Sequence, residues 1–292
     1  MITSRLCRIF VKKRTISTAL IHVDSRSKMP LKFAANLSFM FQELPSLSSR
    51  YVAAKNAGFR FVETAFPFGL DSEELSTAKA KSGLDQVLIN AYQGNPNNGD
   101  LGIGAIPGRE AEFKEKLETS IQIAKSLQCT RMHIMAGLKS EFSEREMEKT
   151  YLENLKYASE RLEKENMMAL IEPINNWLSA PKYFLYDFDK AVEYIKVLNC
   201  PNLKLQLDLF HLQIMDGNLT DNIKKYLPIT GHIQISQVPG RGEPDSPGEI
   251  DYSYILNLID ELGYDGYIGL EYKPKGDTLK GMSWIKNLGY QM

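Results

Sequence analysis

Glu172, Asp208, Gln234 and Glu271 are the residues from which a chemistry can be argued. Each lies at the end of an apolar run. Asp208 alternates with Leu207 and Leu209 and shares its face with Gln206, Glu271 follows Leu270, and Glu172 follows Ile171. In extended chain, successive side chains point to opposite faces, so the polar set is separated from its apolar neighbours. If these runs converge, three carboxylates and an amide share one cavity. Carboxylates gathered this way repel one another unless something positive sits among them. An all-oxygen set suits a hard divalent ion, Mg2+ or Mn2+. Zinc fits less well, because few histidines and no thiol are within reach. A single Glu at a strand end is ordinarily a helix cap or a salt-bridge partner, but acid or amide residues on four consecutive strand ends are hard to explain that way.

A divalent ion holding two adjacent oxygens of an α-hydroxy carbonyl polarises the carbonyl and acidifies the neighbouring C–H. One Glu can then remove that proton to leave a cis-enediolate, and a second Glu can return it to the adjacent carbon. Glu172 and Glu271 come from runs three positions apart, which suits them to opposite flanks of a small substrate. His211, three residues past Asp208, stands where it could hydrogen-bond a substrate oxygen. Arg241 is the expected partner of an anionic substrate group, since its planar fork matches a carboxylate. Glu63 and Asn90 are further polar strand ends. His133 and His232 read as core histidines with satisfied hydrogen bonds, and Lys273 as a solvated rim charge. There is no Ser-His-Asp arrangement, Walker loop or nucleotide fingerprint.

The elements that must position these residues follow from periodicity. Strands are predicted at 32–38, 59–63, 85–90, 131–135, 167–172, 203–209, from Gly231 onward, and at 267–271. Helices are predicted at 47–57, 72–81, 109–127, 143–164, 187–198, 219–226, 252–262 and 276–288, with Ser143 and Glu146 forming a capping box. The seventh strand alternates Ile233 and Ile235 with His232, Gln234 and Ser236, then runs into a long Gly-, Pro- and charge-rich loop ending near Asp251. Polar groups on a buried face are costly unless used, so this strand is expected to deliver them to a site. The loops at 91–107 and after Pro173 exceed the usual βα length, which also hints at function. Strict alternation of strand and helix requires parallel strands with crossover helices. Eight such units amount to a single (β/α)8 TIM barrel, for which about 250 residues is typical. A doubly wound open sheet is the alternative, but Ser38 is followed by Phe39-Met40-Phe41 and not by a Gly-rich fingerprint.

With 292 residues and a net charge of −1, the chain carries no basic field that would suit nucleic acid. No apolar run approaches the ~20 residues of a membrane span. Cys7, Cys129 and Cys200 are odd in number and widely spaced, which argues against a disulfide framework and for a reducing, intracellular, cytoplasmic setting. Residues 1–28 differ: Arg5, Arg8, Lys12, Lys13, Arg14, Arg26 and Lys28 face a single acid, Asp24. That is either a mitochondrial transit-like leader or a disordered extension ahead of a start at Met29. The barrel is assigned to 29–292. The expected partner is a small hydroxy-keto acid; homo-oligomerisation is left open.

Several stretches carry a family likeness: Phe33-Ala-Ala-Asn-Leu-Ser38, Gly102-Ile-Gly-Ala-Ile-Pro-Gly-Arg109, His133-Ile-Met-Ala-Gly137, Leu170-Ile-Glu-Pro-Ile-Asn175, Leu207 to Leu219, Gly231 to Glu249, and Leu270-Glu-Tyr-Lys-Pro274. From Met29 to the C-terminus the chain resembles the hydroxypyruvate isomerase family of xylose-isomerase-like barrels. The resemblance implies isomerisation of hydroxypyruvate to 2-hydroxy-3-oxopropanoate through a metal-stabilised enediolate. It implies Glu172 and Glu271 as acid/base pair, and Glu172, Asp208, Gln234 and Glu271 around the metal. Related sugar epimerases often carry His where Gln234 stands. Related members include epimerases and dehydratases, so an isomerase or 3-epimerase of a neutral sugar is the nearest rival. An abasic-site endonuclease with a histidine-rich zinc cluster and a catalytically silent metal- or ligand-binding barrel are more distant ones.

Overall fold

Parallel strands cannot be joined by tight turns, so each apolar run must be followed by a helix that carries the chain back. The computed structural model, which describes residues 31–68 and 72–292, obeys this rule eight times. The order is β1 (Lys32–Asn36), α1 (Leu47–Asn56), β2 (Phe61–Thr64), α2 (Ser72–Ser82), β3 (Asp85–Asn90), α3 (Glu110–Ser126), β4 (Arg131–His133), α4 (Glu144–Glu163) and β5 (Met168–Ile171). There follow α5 (Phe188–Leu198), β6 (Leu203–Asp208), α6 (Leu209–Met215), α7 (Leu219–Tyr226), β7 (Thr230–Ile235), α8 (Tyr252–Glu261), β8 (Tyr267–Leu270), α9 (Thr278–Gly281) and α10 (Ser283–Asn287). The strands pair in parallel in chain order, and β8 returns to β1 to close the ring. The basic 1–28 segment lies outside the described residues. No helix among the described residues is long and apolar enough to cross a membrane.

Two apolar layers hold the ring. One lies between strands and helices, where Val62, Ile89, Met132, Ile171, Leu205 and Ile233 meet helix residues such as Leu117, Leu155 and Ile255. The other fills the lumen below the site: Ala34, Val87, Leu88 and Leu170, with Phe61, Met168 and Tyr267 packed against them. The expected capping box is present, with Ser143 and Glu146 each bonded to the other's backbone. Cys129 is a buried free thiol and Cys200 a half-buried one.

Three local expectations are corrected. The sixth strand ends at Asp208, whose side chain accepts the Phe210 N–H at 2.8 Å and starts α6 at once. The last helix is two short ones, broken where Gly281 approaches Glu243 so closely that a Cβ would sit 2.8 Å from Oε1. Strands one, four and five are shorter than their apolar runs.

Gly269 has the tightest role in β8. A Cβ there would lie 2.3 Å and 2.5 Å from the two carboxylate oxygens of buried Glu63. Overpacking of this kind costs about 1–3 kcal/mol. Gly269→Ala should therefore lower the urea-unfolding free energy by that amount; an unchanged midpoint would show that the Glu63 carboxylate can move aside.

Candidate active site and metal centre

The C-terminal ends of the strands surround one concave site, lined by Glu172, His211, Gln234, Arg241 and Glu271 together with Asn36, Glu63, Asn90, His133 and Gln206. Apolar walls come from Phe39, Phe66, Leu101, Met135 and Ile174. Asp208 is fully buried just beneath and reaches the others through Arg241.

Arg241 is held among the carboxylates. Its Nη2 donates to Glu271 Oε1 at 2.7 Å and to Asp208 Oδ2 at 3.2 Å, and its Nε donates to the Glu271 carbonyl at 3.3 Å. The guanidinium also stacks between Phe39 and Phe210, with ring centroids at 5.0 and 4.9 Å. Two of the three nitrogens are thus committed within the protein, and Nη1 makes no hydrogen bond to a described residue. The loop after β7 fixes this placement. Buried Gln237 staples it by donating to the Pro244 and Ile250 carbonyls and accepting from the Val238 and Ile250 N–H groups. Arg241 itself has φ of +52°, a conformation costing a non-glycine residue of order 1 kcal/mol and found where geometry serves a site.

Beneath the rim runs a buried polar relay that the sequence did not reveal as a unit. Glu63 Oε2 lies 2.6 Å from His232 Nε2, and Glu63 Oε1 accepts from Asn36 Nδ2 and Gln234 Nε2, both at 2.8 Å. Gln206 Nε2 donates to Gln234 Oε1 at 2.7 Å and to Glu172 Oε2 at 2.8 Å. The relay fixes the Gln234 amide, because a flip would put its oxygen against the Glu63 carboxylate. The oxygen therefore faces Gln206. His232 is satisfied in part: Nε2 is bound to Glu63, while buried Nδ1 has no hydrogen-bond partner among the described residues. His133 is not satisfied at all: neither ring nitrogen has a hydrogen-bond partner among the described residues. Lys273 is exposed, as expected, and its backbone N–H donates to the Arg241 carbonyl.

His211 sits inside α6, one turn from its cap, so Asp208 and His211 share a helix face. Its Nδ1 is 3.3 Å from the Asn175 backbone N–H and 2.7 Å from Asn175 Nδ2. A backbone N–H can only donate, so Nδ1 accepts and the ring proton is on Nε2. That proton points at the carboxylates, with Nε2 3.4 Å from Asp208 Oδ2 and 3.5 Å from Glu172 Oε1. Donor atoms of Glu172, Asp208 and His211 all lie within 4.8 Å of one another, spacing that a metal could bridge. The tautomer argues against Nε2 as a ligand and for His211 as a hydrogen-bond donor.

Burial pushes the Glu172 carboxyl well above the usual range, and Glu271 and Asp208 push it further. Asp208 is raised by burial against the opposing pull of Arg241. Burial lifts Glu271 to about 8, again against Arg241. Ionised, these three acids carry more negative charge than one guanidinium offsets. The donor chemistry therefore fits a divalent cation: Glu172 and Asp208 offer closely spaced oxygens, while Glu271 Oε1 accepts from Arg241 and the Gln234 oxygen from Gln206.

Comparison with known proteins agrees with this architecture. Residues 51–288 match the family model described as xylose isomerase-like TIM barrel. A Danio rerio protein named "Putative hydroxypyruvate isomerase" is 52% identical over 262 residues, 88% of this chain and 95% of that one. A 2-oxo-tetronate isomerase from Haemophilus influenzae is 40% identical over 256 residues, 87% of this chain and 98% of its own. The crystal structure of a Brucella melitensis protein named AP endonuclease, family 2, superimposes with a TM-score of 0.86 at 38% identity, covering 90% of this chain and all of that one. The chain belongs to the xylose isomerase-like TIM barrel family and, within it, to the hydroxypyruvate isomerases.

The raised carboxyls give a signed prediction. A carboxyl whose folded pKa exceeds its unfolded value near 4.5 stabilises the fold fully below that value, and the contribution is lost as pH rises through the folded pKa, about 8 for Glu271. Chelator-treated protein should lose stability between pH 5 and 8, and Mn2+ should restore it, because binding a cation displaces those protons. At a hundredfold excess over Kd the gain should be about 2.7 kcal/mol. Urea melts with and without Mn2+ check this; an identical pH slope in both series would contradict it.

Proposed function

We propose that this barrel interconverts hydroxypyruvate and 2-hydroxy-3-oxopropanoate, by moving a proton between C3 and C2. The observation that carries the reading is the pair Glu172 and Glu271. They follow β5 and β8, line one small cavity, and both have a pKa raised above the ordinary carboxyl value by burial, Glu271 to about 8. A general acid/base works best when its pKa lies near the working pH.

The residues divide the work as follows. One of the two glutamates, ionised, takes a proton from C3 and leaves an enediolate across C2 and C3. The other, protonated, delivers a proton to C2, while the hydroxyl proton of O3 is exchanged for one on O2. Atoms balance and no redox partner is needed. The Nε2–H of His211 donates to the substrate oxygen on which charge develops. Nη1 of Arg241 faces the substrate carboxylate. Glu172, Asp208, Gln234 and Glu271 would hold a divalent Mg2+ or Mn2+, which supplies Lewis-acid polarisation of the substrate carbonyl. The relay from Glu63 through Gln234 and Gln206 keeps Glu172 oriented, since preorganised hydrogen bonds need not rearrange during the reaction.

Family membership alone does not choose the substrate. The Haemophilus relative supports a four-carbon analogue, 2-oxo-tetronate, handled by the same chemistry. The Brucella protein, as an AP endonuclease by name, supports a second reading, incision of abasic DNA. Histidine-rich metal clusters would serve that reading, yet here His232 is bound to Glu63 and His211 Nδ1 to Asn175. A panel of hydroxypyruvate, 2-oxo-tetronate, neutral ketoses and an abasic duplex, each with and without chelator, separates these outcomes. Proton exchange at C3 followed by NMR should appear with hydroxypyruvate. Glu172→Gln and Glu271→Gln should each cut turnover by about 10²–10⁴-fold. Full turnover in either variant would remove the mechanism, and exchange in a neutral sugar alone would move the substrate assignment.

A further inference from the structure

The wall of the cavity facing the carboxylates carries two polar side chains that the reaction above does not use. Asn90 ends β3, His133 ends β4, and the two are register partners. His133 is 1% exposed, yet neither of its ring nitrogens is hydrogen-bonded by a described residue. Its Nδ1 lies 3.3 Å from Glu172 Oε2 without the geometry of a hydrogen bond. Asn90 Nδ2 meets only the Met135 sulfur, at 3.7 Å. Both residues line the cavity.

This is an unusual expense for a core. A buried polar group left unpaired bears the full cost of its desolvation, so nearly all such groups in folded proteins find partners. His232 in the same lumen has at least one nitrogen paired, Nε2 with Glu63, whereas His133 has neither. His133 lies one strand from Glu172 and opens on the same space.

We propose that His133 is a substrate-binding residue that receives the hydroxyl oxygen of a short hydroxy-keto acid, with Asn90 completing the wall beside it. A neutral imidazole offers one donor and one acceptor, and so does a hydroxyl, whereas a carboxylate only accepts. Both ring nitrogens are buried at the cavity wall with no partner among the described residues, so each is available to an incoming oxygen. An oxygen seated on His133 also lies next to Glu172, one of the two proton-transferring glutamates of the isomerase reading. The inference rests on that reading and adds to it the group that distinguishes hydroxypyruvate from pyruvate.

The test compares wild type with His133→Leu and His133→Gln in three measurements: melting temperature of chelator-treated protein, steady-state kinetics on hydroxypyruvate with Mn2+, and inhibition by pyruvate, which lacks the hydroxyl. His133→Leu should melt at the wild-type temperature or above, because it removes an unpaired polar group. Its KM for hydroxypyruvate should rise at least tenfold, with a smaller change in kcat and an unchanged inhibition constant for pyruvate. His133→Gln, which keeps a donor and an acceptor, should recover most of the KM. An unchanged KM in the Leu variant overturns the inference, as does equal weakening of pyruvate. A lower melting temperature with parallel losses of kcat and of both ligands makes His133 structural. If wild type is inactive on hydroxypyruvate, the substrate assignment fails by itself. The melting comparison then still decides His133, since a drop in the Leu variant overturns the inference and an equal or higher value supports it.

Discussion

Two buried carboxylates and a half-buried third, all within reach of one guanidinium, are the constraint to which the rest of the molecule answers. Glu172, Asp208 and Glu271 lie where water screens them poorly, so their mutual repulsion is far stronger than on a surface. Arg241 is the fixed part of the compensation, and the loop after β7 exists in its observed form to hold that arginine. Gln237 staples the loop, the left-handed backbone at Arg241 aims the side chain inward, and Phe39 and Phe210 keep its plane upright. Arg241 neutralises part of the charge and leaves the remainder for protons, a cation and substrate. That residual imbalance, with burial, keeps the carboxyl pKa values raised, whereas a fully paired acid would have an ordinary or depressed one.

A cluster of this kind would be unstable on a soft scaffold. The closed ring supplies stiffness, and the polar relay under the rim supplies direction. Glu63 is the keystone of that relay. It accepts from Asn36 and Gln234 and sits against His232, joining β1, β2 and β7. Gln206 carries the chain of bonds on to Glu172 across β6 and β5. Gly269 leaves the room in which Glu63 lies. Truncating one member would strand its neighbours without partners, so the relay should behave as a unit and not as independent bonds.

The ring was legible in the sequence because two periods alternate cleanly along it. Apolar runs set between helical patterns marked all eight strands, and the capping box at Ser143 marked the longest helix. The strand-end acids were legible for the same reason: alternation tells which face a residue takes. What alternation cannot tell is which residues from different strands meet. Glu63, Gln206 and His232 were visible one at a time, but their connection depends on register, including the shift between Leu205 and Gln206. The start of α6 was hidden because Asp208 serves as both the last strand residue and the helix cap, and Leu209 continues the apolar alternation. Arg241 was legible as a loop cation but not as the counter-ion of Asp208 and Glu271, since that role is set by a loop conformation with no periodic signature. His133 was misread because a histidine in an apolar run is usually satisfied, and only coordinates show whether a partner is there.

The site is divided in a way that bears on how a small substrate would lie. Strands five to eight and the loop after β7 contribute the charged groups. Strands one, three and four contribute Asn36, Asn90 and neutral His133, and the acid of strand two is already tied to His232 and Gln234. Proton transfer needs the reacting carbons beside Glu172 and Glu271, on the charged side. The neutral side can then discriminate by hydrogen bonding without adding charge that would shift those acids. Each unpaired buried group there is a cost in the free protein that a matching hydroxyl would relieve, whereas a ligand lacking it would not. Selectivity among short hydroxy-keto acids would thus reside in the half of the barrel whose one acid, Glu63, is already tied up, and reactivity in the other half.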